Sequence, residues 1–289
     1  MLPRSRYALP LPGRAPLQLG VRTLVMGVVN VTPDSFSDGG LCFDPDHALA
    51  HAKEMEAAGA DLLDVGGEST KPGAAALSVE EELARVLPVL ERLVGKVQVP
   101  VSIDTYKAEV ARAALDSGAV IVNDVSGLLH DPNLATVVAE CGAGLVLVHN
   151  RGRSRNMYRE AVYRDVGAEV AGDLDKRIAA ALDAGVSRSR IMVDPGIGFA
   201  KRTEHSYAAL ATLDLLASLD RPILVGPSRK SFLGGVGDTG PNDREWGTAA
   251  AVTAAIMGGA HIVRVHRLRG MVQAIRVADN IRRHGTTLR

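Results

Sequence analysis

VMGVVNVTPDSFSDGG, residues 25–40, is the stretch from which the fold is read. Leu24 to Val31 is an apolar, valine-rich run with the length of a strand buried on both faces. Near its end stands Asn30, and Thr32, Pro33, Asp34, Ser35, Phe36, Ser37, Asp38 and a Gly pair follow. A buried strand that reaches an amide and opens into a polar loop has the form of an active-site element carried on a rigid scaffold. The same pattern recurs down the chain.

Short β runs alternate with longer amphipathic helices. The runs are Leu24–Val31, Leu62–Gly67, Val99–Asp104, Ile121–Ser126, Gly144–His149, Ile191–Gly196, Pro222–Ser228 and His261–His266. The helical patterns are Asp44–Ala60, Ser78–Gly95, Thr105–Ala119, Pro132–Ala143, Val162–Gly185, His205–Leu219, Asp243–Gly259 and Arg269–Gly285. Several end in a glycine placed for a C-terminal cap, as in AAGA before Asp61, DSGA before Val120, DAG before Val186 and MGGA before His261. Eight β runs, each followed by a helix and undivided by any linker, predict an α/β fold: a single (β/α)8 TIM barrel. A doubly wound open sheet would carry a G-x-G-x-x-G after its first strand, and none is there. The barrel takes residues 21–289, and residues 1–20 are a short N-terminal extension expected to cover its N-terminal end.

Composition narrows the function classes. Lys+Arg equals Asp+Glu at 33 each, so no global field draws the protein to nucleic acid or an anionic membrane. Aromatics at 3% leave few platforms for stacking bases. Two cysteines, Cys42 and Cys141, exclude a disulfide scaffold or a zinc site and fit a reducing, cytoplasmic setting; Cys141 is expected in the core. The segment 1–20 has no uninterrupted apolar stretch, so it reads as neither signal peptide nor membrane span. The Arg-rich stretch 151–159 reads as a solvated loop.

In such a barrel the chemistry gathers at the C-terminal ends of the strands. Those ends read Asn30; Glu68 with Thr70 and Lys71; Asp104; Asn123 with Asp124; His149; Asp194; Ser228 with Arg229 and Lys230; and Arg264 with His266. Asp104, Asn123 and Asp194 on buried strands suit a flat heterocycle with several N–H donors, since a buried carboxylate needs such partners. Asp104 is also placed to cap the following helix. A second, cationic group comprises Lys71, Lys230, Arg264, His266, Arg267 and Arg269. It sits where such barrels bind phosphate, and it suggests an anionic leaving group; Arg267 and Arg269 read as solvated rim charges. No G-x-S-x-G, H-E-x-x-H or Walker A pattern competes.

Seven blocks spell out a family: GVVNVTPDSFSDGG (27–40), DVGGESTKPGA (64–74), VSIDT (101–105), NDVSG (123–127), DPGIGF with Lys201 (194–201), GPSRKSF (226–232) and GAHIVRVH (259–266). In order and spacing the chain resembles the dihydropteroate synthases from Leu24 to the final helix. That resemblance implies a transferase of folate biosynthesis. It condenses (7,8-dihydropterin-6-yl)methyl diphosphate with 4-aminobenzoate to 7,8-dihydropteroate and pyrophosphate, by an SN1-type substitution without a side-chain nucleophile. By position, the resemblance implies that Asp104, Asn123, Asp194, Phe199 and Lys230 hold the pterin. Asn30, Lys71, Arg264 and His266 meet the diphosphate, with Asn30 also ligating Mg²⁺. Phe36, Thr70, Pro72 and Ser231 frame the aminobenzoate, the site where sulfonamides compete. A homodimer through outer helices is implied as well.

Three positions depart from the family's usual pattern. Lys71 stands for Arg, residues 148–152 read VHNRG where M-H-M-Q-G is common, and Arg267 replaces a frequent Asp. The first keeps the charge without the bidentate fork, and the second predicts a more polar floor to the pterin pocket. Two other readings stay open on the sequence: a pterin-dependent methyltransferase on the same barrel, and a silent paralogue that binds pterin without turnover.

Overall fold

The computed structural model describes residues 4–32, 44–71, 73–153, 157–235 and 240–287. Two strands, β1 (Tyr7–Leu11) and β2 (Arg14–Leu19), form an antiparallel hairpin. Eight more form one parallel sheet: β3 (Leu24–Asn30), β4 (Leu62–Gly66), β5 (Val101–Asp104), β6 (Ile121–Asp124), β7 (Gly144–Val148), β8 (Ile191–Asp194), β9 (Leu224–Val225) and β10 (Ile262–Val265). Their order is β8-β7-β6-β5-β4-β3-β10-β9, and a parallel bridge between Val193 and Ile223 brings β8 round to the approach of β9. This is the predicted (β/α)8 barrel, with every sheet neighbour parallel.

The helices are α1 (Pro45–Ala57), α2 (Val79–Leu93), α3 (Ala108–Asp116), α4 (Leu134–Cys141), α5 (Val166–Asp183), α6 (Thr203–Ala211), α7 (Glu245–Met257) and α8 (Met271–Thr287). Their ends have local causes. Asp44 caps α1 by accepting from the Asp46 amide at 2.8 Å, and Ser78 with Glu81 closes a reciprocal capping box on α2. The four cap glycines, Gly59, Gly118, Gly185 and Gly259, all have positive φ, which other residues adopt only with strain. The helix expected over 205–219 divides instead. The α-helix stops at Ala211 and a 3₁₀ turn, Leu213–Leu219, takes over after Thr212, whose hydroxyl bonds back to the Ala208 carbonyl at 2.8 Å. Cys141, expected in the core, is half buried beside the Arg112 guanidinium.

Two apolar layers result from the period-2 alternation of strand side chains. Outward positions such as Val25, Leu63, Ile103, Val122, Leu145, Val193 and Val263 pack against the helices in one large core. Inward positions at the strand starts, Leu24, Met26, Leu62, Ile121, Val146, Met192, Leu224 and Ile262, form a second cluster. Leu9, Leu11 and Leu19 of the hairpin join this inner cluster, so the hairpin seals the N-terminal end of the barrel. The inner layer is therefore dry at one end. Among the described residues, no helix is long and apolar enough to cross a membrane.

Candidate active site

The inward parity that places Leu62 and Ile121 in the apolar plug places different chemistry one or two residues on. On β4 the next inward residue is Asp64; on β5 they are Ser102 and Asp104; on β6, Asn123; on β8, Asp194; on β10, Arg264. Register puts Asp64 beside Ser102 and Asp104 beside Asn123. The outcome is a polar layer on an apolar floor.

Asp64 is fully buried and saturated with donors. Ser102 Oγ lies 2.6 Å away, Asn123 Nδ2 2.9 Å and Arg264 Nε 2.6 Å. Arg264 also donates through its terminal nitrogen to Asp104 Oδ2 at 2.8 Å. Asp104 Oδ1 and Asn123 Oδ1 are buried with no protein partner. Two unpartnered buried acceptors are costly in isolation, about 1–3 kcal/mol each, and are suited to a ligand's N–H groups. Burial pushes the Asp104 carboxyl up, and Arg264 opposes the shift. Asp104 is not a helix cap: α3 begins after Lys107, whose amide bonds the Thr105 hydroxyl instead.

Asp194 accepts from the Gly196 amide at 2.6 Å, and burial raises its pKa against the pull of Lys230. Lys230 lies 4.1 Å from the centre of the Phe199 ring and donates to the Ile197 carbonyl; burial lowers its pKa to about 8. Arg229, just before Lys230, and Ala200, just after Phe199, are two of the few non-glycine residues at positive φ. A non-glycine residue in the left-handed region costs on the order of 1 kcal/mol or more, so the surroundings must hold each of these segments in place. Arg229 is kept there by bonds from its amide to Thr248 and from Arg244 to its carbonyl.

The remaining sites expected on the rim fall into three groups. Asn30 closes β3, Thr70 is half-buried, and Lys71 and Ser231 are exposed. His266 sits against Ser228, with Nδ1 3.0 Å from Oγ. Burial, reinforced by Arg264, Arg229, Lys230 and Lys71, holds its pKa down at about 3, so the imidazole is neutral rather than cationic as first read. Arg267 and Arg269 are exposed, as expected of solvated charges. Phe36 and Pro72 lie outside the described residues.

His149 and Asp124 do not reach the barrel interior. They follow the last inward residues of their strands and point the other way. His149 is wholly buried, between Lys201 Nζ at 2.7 Å and Asp173 of α5 at 3.3 Å; burial and Lys201 hold it neutral, with a pKa of about 3. Asp124 accepts from the amides of Ser126 and Leu128 and so anchors its own loop. The more polar pocket floor expected from VHNRG is absent as well. Asn150 spends both ends of its amide on the Val125 carbonyl and the Arg151 amide, and Arg151 turns to Asp173, Glu169 and the Tyr163 ring. The Arg151 end of the loop is thus fastened to α5 rather than solvated.

The sequence by itself assigns no role to Asp64, Ser102 or Lys201. Asp64 was findable, because it stands two residues beyond Leu62 and so shares its face. Glu68, placed on the rim, is part of a clamp. Its carboxylate takes Tyr106 Oη at 2.9 Å and the Lys107 ammonium, which also meets Glu82, a residue 1% exposed. This ties the root of the 67–77 loop, which carries Thr70 and Lys71, to α2 and α3. Replacing Lys107 by Met strands two carboxylates, and urea unfolding should show a loss of roughly 3 kcal/mol. Lys107→Met/Glu82→Gln should recover much of it; an unchanged midpoint in Lys107→Met would show a clamp without energetic weight.

Fold and site together define a class: a (β/α)8 barrel with an acceptor-rich interior at its strand ends and cations alongside. A family described as pterin binding enzymes matches residues 26–266. The dihydropteroate synthase of Bacillus subtilis is 45% identical over 258 residues, covering 89% of this chain and 88% of that protein. A Yersinia pestis dihydropteroate synthase solved with a sulfonamide drug complex superposes with a TM-score of 0.90 at 40% identity, over 95% of this chain and 99% of that one. One from Burkholderia cenocepacia, complexed with 7,8-dihydropteroate, gives 0.86 at 41% identity over 98% and 99%. The chain belongs to the dihydropteroate synthases, a family of transferases.

Proposed function

We propose that this protein condenses (7,8-dihydropterin-6-yl)methyl diphosphate with 4-aminobenzoate in the cytoplasm, releasing pyrophosphate and forming 7,8-dihydropteroate. The observation that carries the reading is the pair of unpartnered buried acceptors, Asp104 Oδ1 and Asn123 Oδ1, on an interior whose third acceptor is Asp194. A pterin ring presents amino and ring N–H groups that would satisfy all three. Lys230 and the Phe199 ring would bracket the heterocycle from the Asp194 side.

The reaction we propose is an SN1-type substitution. The methylene C–O bond breaks with its electron pair leaving on pyrophosphate, and the aniline nitrogen then bonds to the methylene carbon and releases a proton. Positive charge developing on the pterin would lie beside Asp104 and Asp194, carboxylates already in place before the reaction begins. The neutral His266 would donate its ring N–H to a phosphate oxygen and Lys71 would add charge, while the charge of Arg264 is shared with Asp64 and Asp104. Thr70 and Ser231, with Phe36 and Pro72, would frame the aminobenzoate.

The family implies Mg²⁺. Among the described residues, no cluster of three or more His, Cys, Asp or Glu side chains could hold a metal. The amide oxygen of Asn30 at the mouth of β3 is a hard donor of the kind Mg²⁺ takes alongside substrate phosphates, so the residues fit a metal held largely by the diphosphate. When bound, Mg²⁺ would neutralise charge on the leaving group. A coupled assay with both substrates tests the function. Turnover should depend on Mg²⁺, and Asn30→Ala should lower kcat with little change in unfolding temperature. No product with both substrates present would refute the proposed activity, and full activity in excess chelator would refute the role of Asn30.

We also propose a homodimer through the outer helices. Trp246 on α7 and Val277 and Ile281 on α8 are exposed at 88%, 52% and 52% around a groove of about 590 Å³ between the two helices. Sedimentation equilibrium giving the 30.4 kDa monomer mass would exclude it.

A further inference from the structure

We propose that Asp64 is a positioning residue that sets the ligand specificity of the barrel interior. It consumes the donors around it, so that Asp104 and Asn123 turn acceptors toward the ligand. The inference rests on the reading above that the ligand is a pterin.

An asparagine amide has a donor end and an acceptor end of nearly the same size, and its neighbours decide which end faces a pocket. Asn123 is 3% exposed, so water does not make that choice. One end of its amide lies 2.9 Å from Asp64 Oδ2. A carboxylate accepts and does not donate, so Nδ2 must face Asp64 and Oδ1 must face away. The reverse orientation would set two acceptors against each other in a buried site, which neither could relieve by turning to water. The Asn123 oxygen that faces away has no protein partner.

The same carboxylate acts on Asp104 through Arg264. Arg264 Nε is held by Asp64 Oδ2 at 2.6 Å, and this orients the guanidinium to bond Asp104 Oδ2 at 2.8 Å. Asp104 Oδ1 is left over, buried and unpartnered. Ser102 adds the third donor to Asp64 at 2.6 Å and keeps that side chain in place. One buried carboxylate thus takes three donors and leaves two acceptors aimed at the ligand. A heterocycle with N–H groups along its edge is accepted, and one with carbonyl oxygens there is refused.

The test is calorimetric titration of 6-hydroxymethyl-7,8-dihydropterin into wild type, Asp64→Ala, Asn123→Asp and the double variant, with thermal unfolding as a check on folding. Asp64→Ala frees the Asn123 amide to turn and should weaken binding by about tenfold or more. Asn123→Asp alone puts two carboxylates in contact and should also weaken it. In the Asp64→Ala background the same Asn123→Asp change should strengthen binding, because a carboxylate presents an acceptor whichever way it turns. A purely structural role for Asp64 predicts no such reversal of sign. Wild-type affinity in Asp64→Ala, or a double variant no tighter than Asp64→Ala, would overturn the proposal. If Asp64→Ala fails to fold, wild-type affinity in Asn123→Asp overturns it alone. Failure of the wild type to bind the pterin is a different result, and it refutes the functional reading itself.

Discussion

Asp194→Asn should fold normally and bind a pterin at least about 100-fold more weakly than the wild type, with kcat/KM falling in parallel. The substitution keeps shape and keeps an oxygen for the Gly196 amide, which now sits 2.6 Å from Oδ1. It turns the other atom from acceptor to donor, so the ligand's N–H meets an N–H. The site then loses a charge-assisted bond and gains a buried pair of unsatisfied donors. Buried Lys230 and Lys201 lose a neighbouring negative charge as well. Burial raises the wild-type Asp194 pKa, so protonation removes this acceptor above the ordinary carboxylate range. Wild-type pterin affinity should therefore fall as pH drops, and Asp194→Asn should remove the Asp194 share of that fall while leaving the share of Asp104, whose pKa burial raises to about 7. Calorimetry with 6-hydroxymethyl-7,8-dihydropterin across pH measures both effects. Unchanged affinity in the variant would remove Asp194 from the pterin site.

The second large effect concerns sulfonamides. The drug should compete with 4-aminobenzoate, and it should bind about 10- to 100-fold more tightly in the presence of pyrophosphate and Mg²⁺ than in their absence. The cause is where the residues proposed to frame the aminobenzoate stand. Thr70 is half-buried, Ser231 is the exposed first residue of a 3₁₀ turn, and Lys71 beside Thr70 is exposed, near enough to His266 to depress its pKa. These described groups lie on the rim above the polar layer. An anion between Lys71 and His266 would draw the 67–77 loop over the barrel and complete the frame, so the two sites should be positively coupled. Between Pro33 and Gly40 there is no insertion beside Phe36 that could exclude the larger sulfonyl group. Titration of sulfamethoxazole with and without pyrophosphate and Mg²⁺ reads the coupling. Equal affinity in both conditions would disprove the ordering, and unimpeded turnover at saturating drug would disprove the pocket.

Much of the fold was legible because it rests on local causes. Valine-rich runs can be satisfied only by burial on both faces, and each helix is bounded by residues that bond their own neighbours, such as Ser78 with Glu81. The cap glycines announce a positive φ that the chain needs wherever a helix turns back toward the sheet. The break at Thr212 was hidden, since the apolar periodicity runs through it and only a side-chain bond to the Ala208 carbonyl interrupts the helix.

The site was legible in its residue types and less so in its geometry. By itself the sequence determined that polar side chains collect at the strand ends, and that Asp104, Asn123, Asp194 and Lys230 are among them. Tertiary structure decided which of them face the same space. In a strand whose two faces are both buried, alternation does not show in the hydropathy, so the outward His149 and Asp124 read like the inward Asn123 and Asp194. Partnership was still further from reach. Arg264 and Asp64 lie 200 positions apart, and only closure of the barrel brings β10 beside β3, and β3 beside β4, so that a guanidinium that reads as a free phosphate cation is held by two carboxylates. Polarity at a strand end is a property of the residue, whereas the atom it turns toward a ligand is fixed by neighbours that the chain delivers only when the sheet closes.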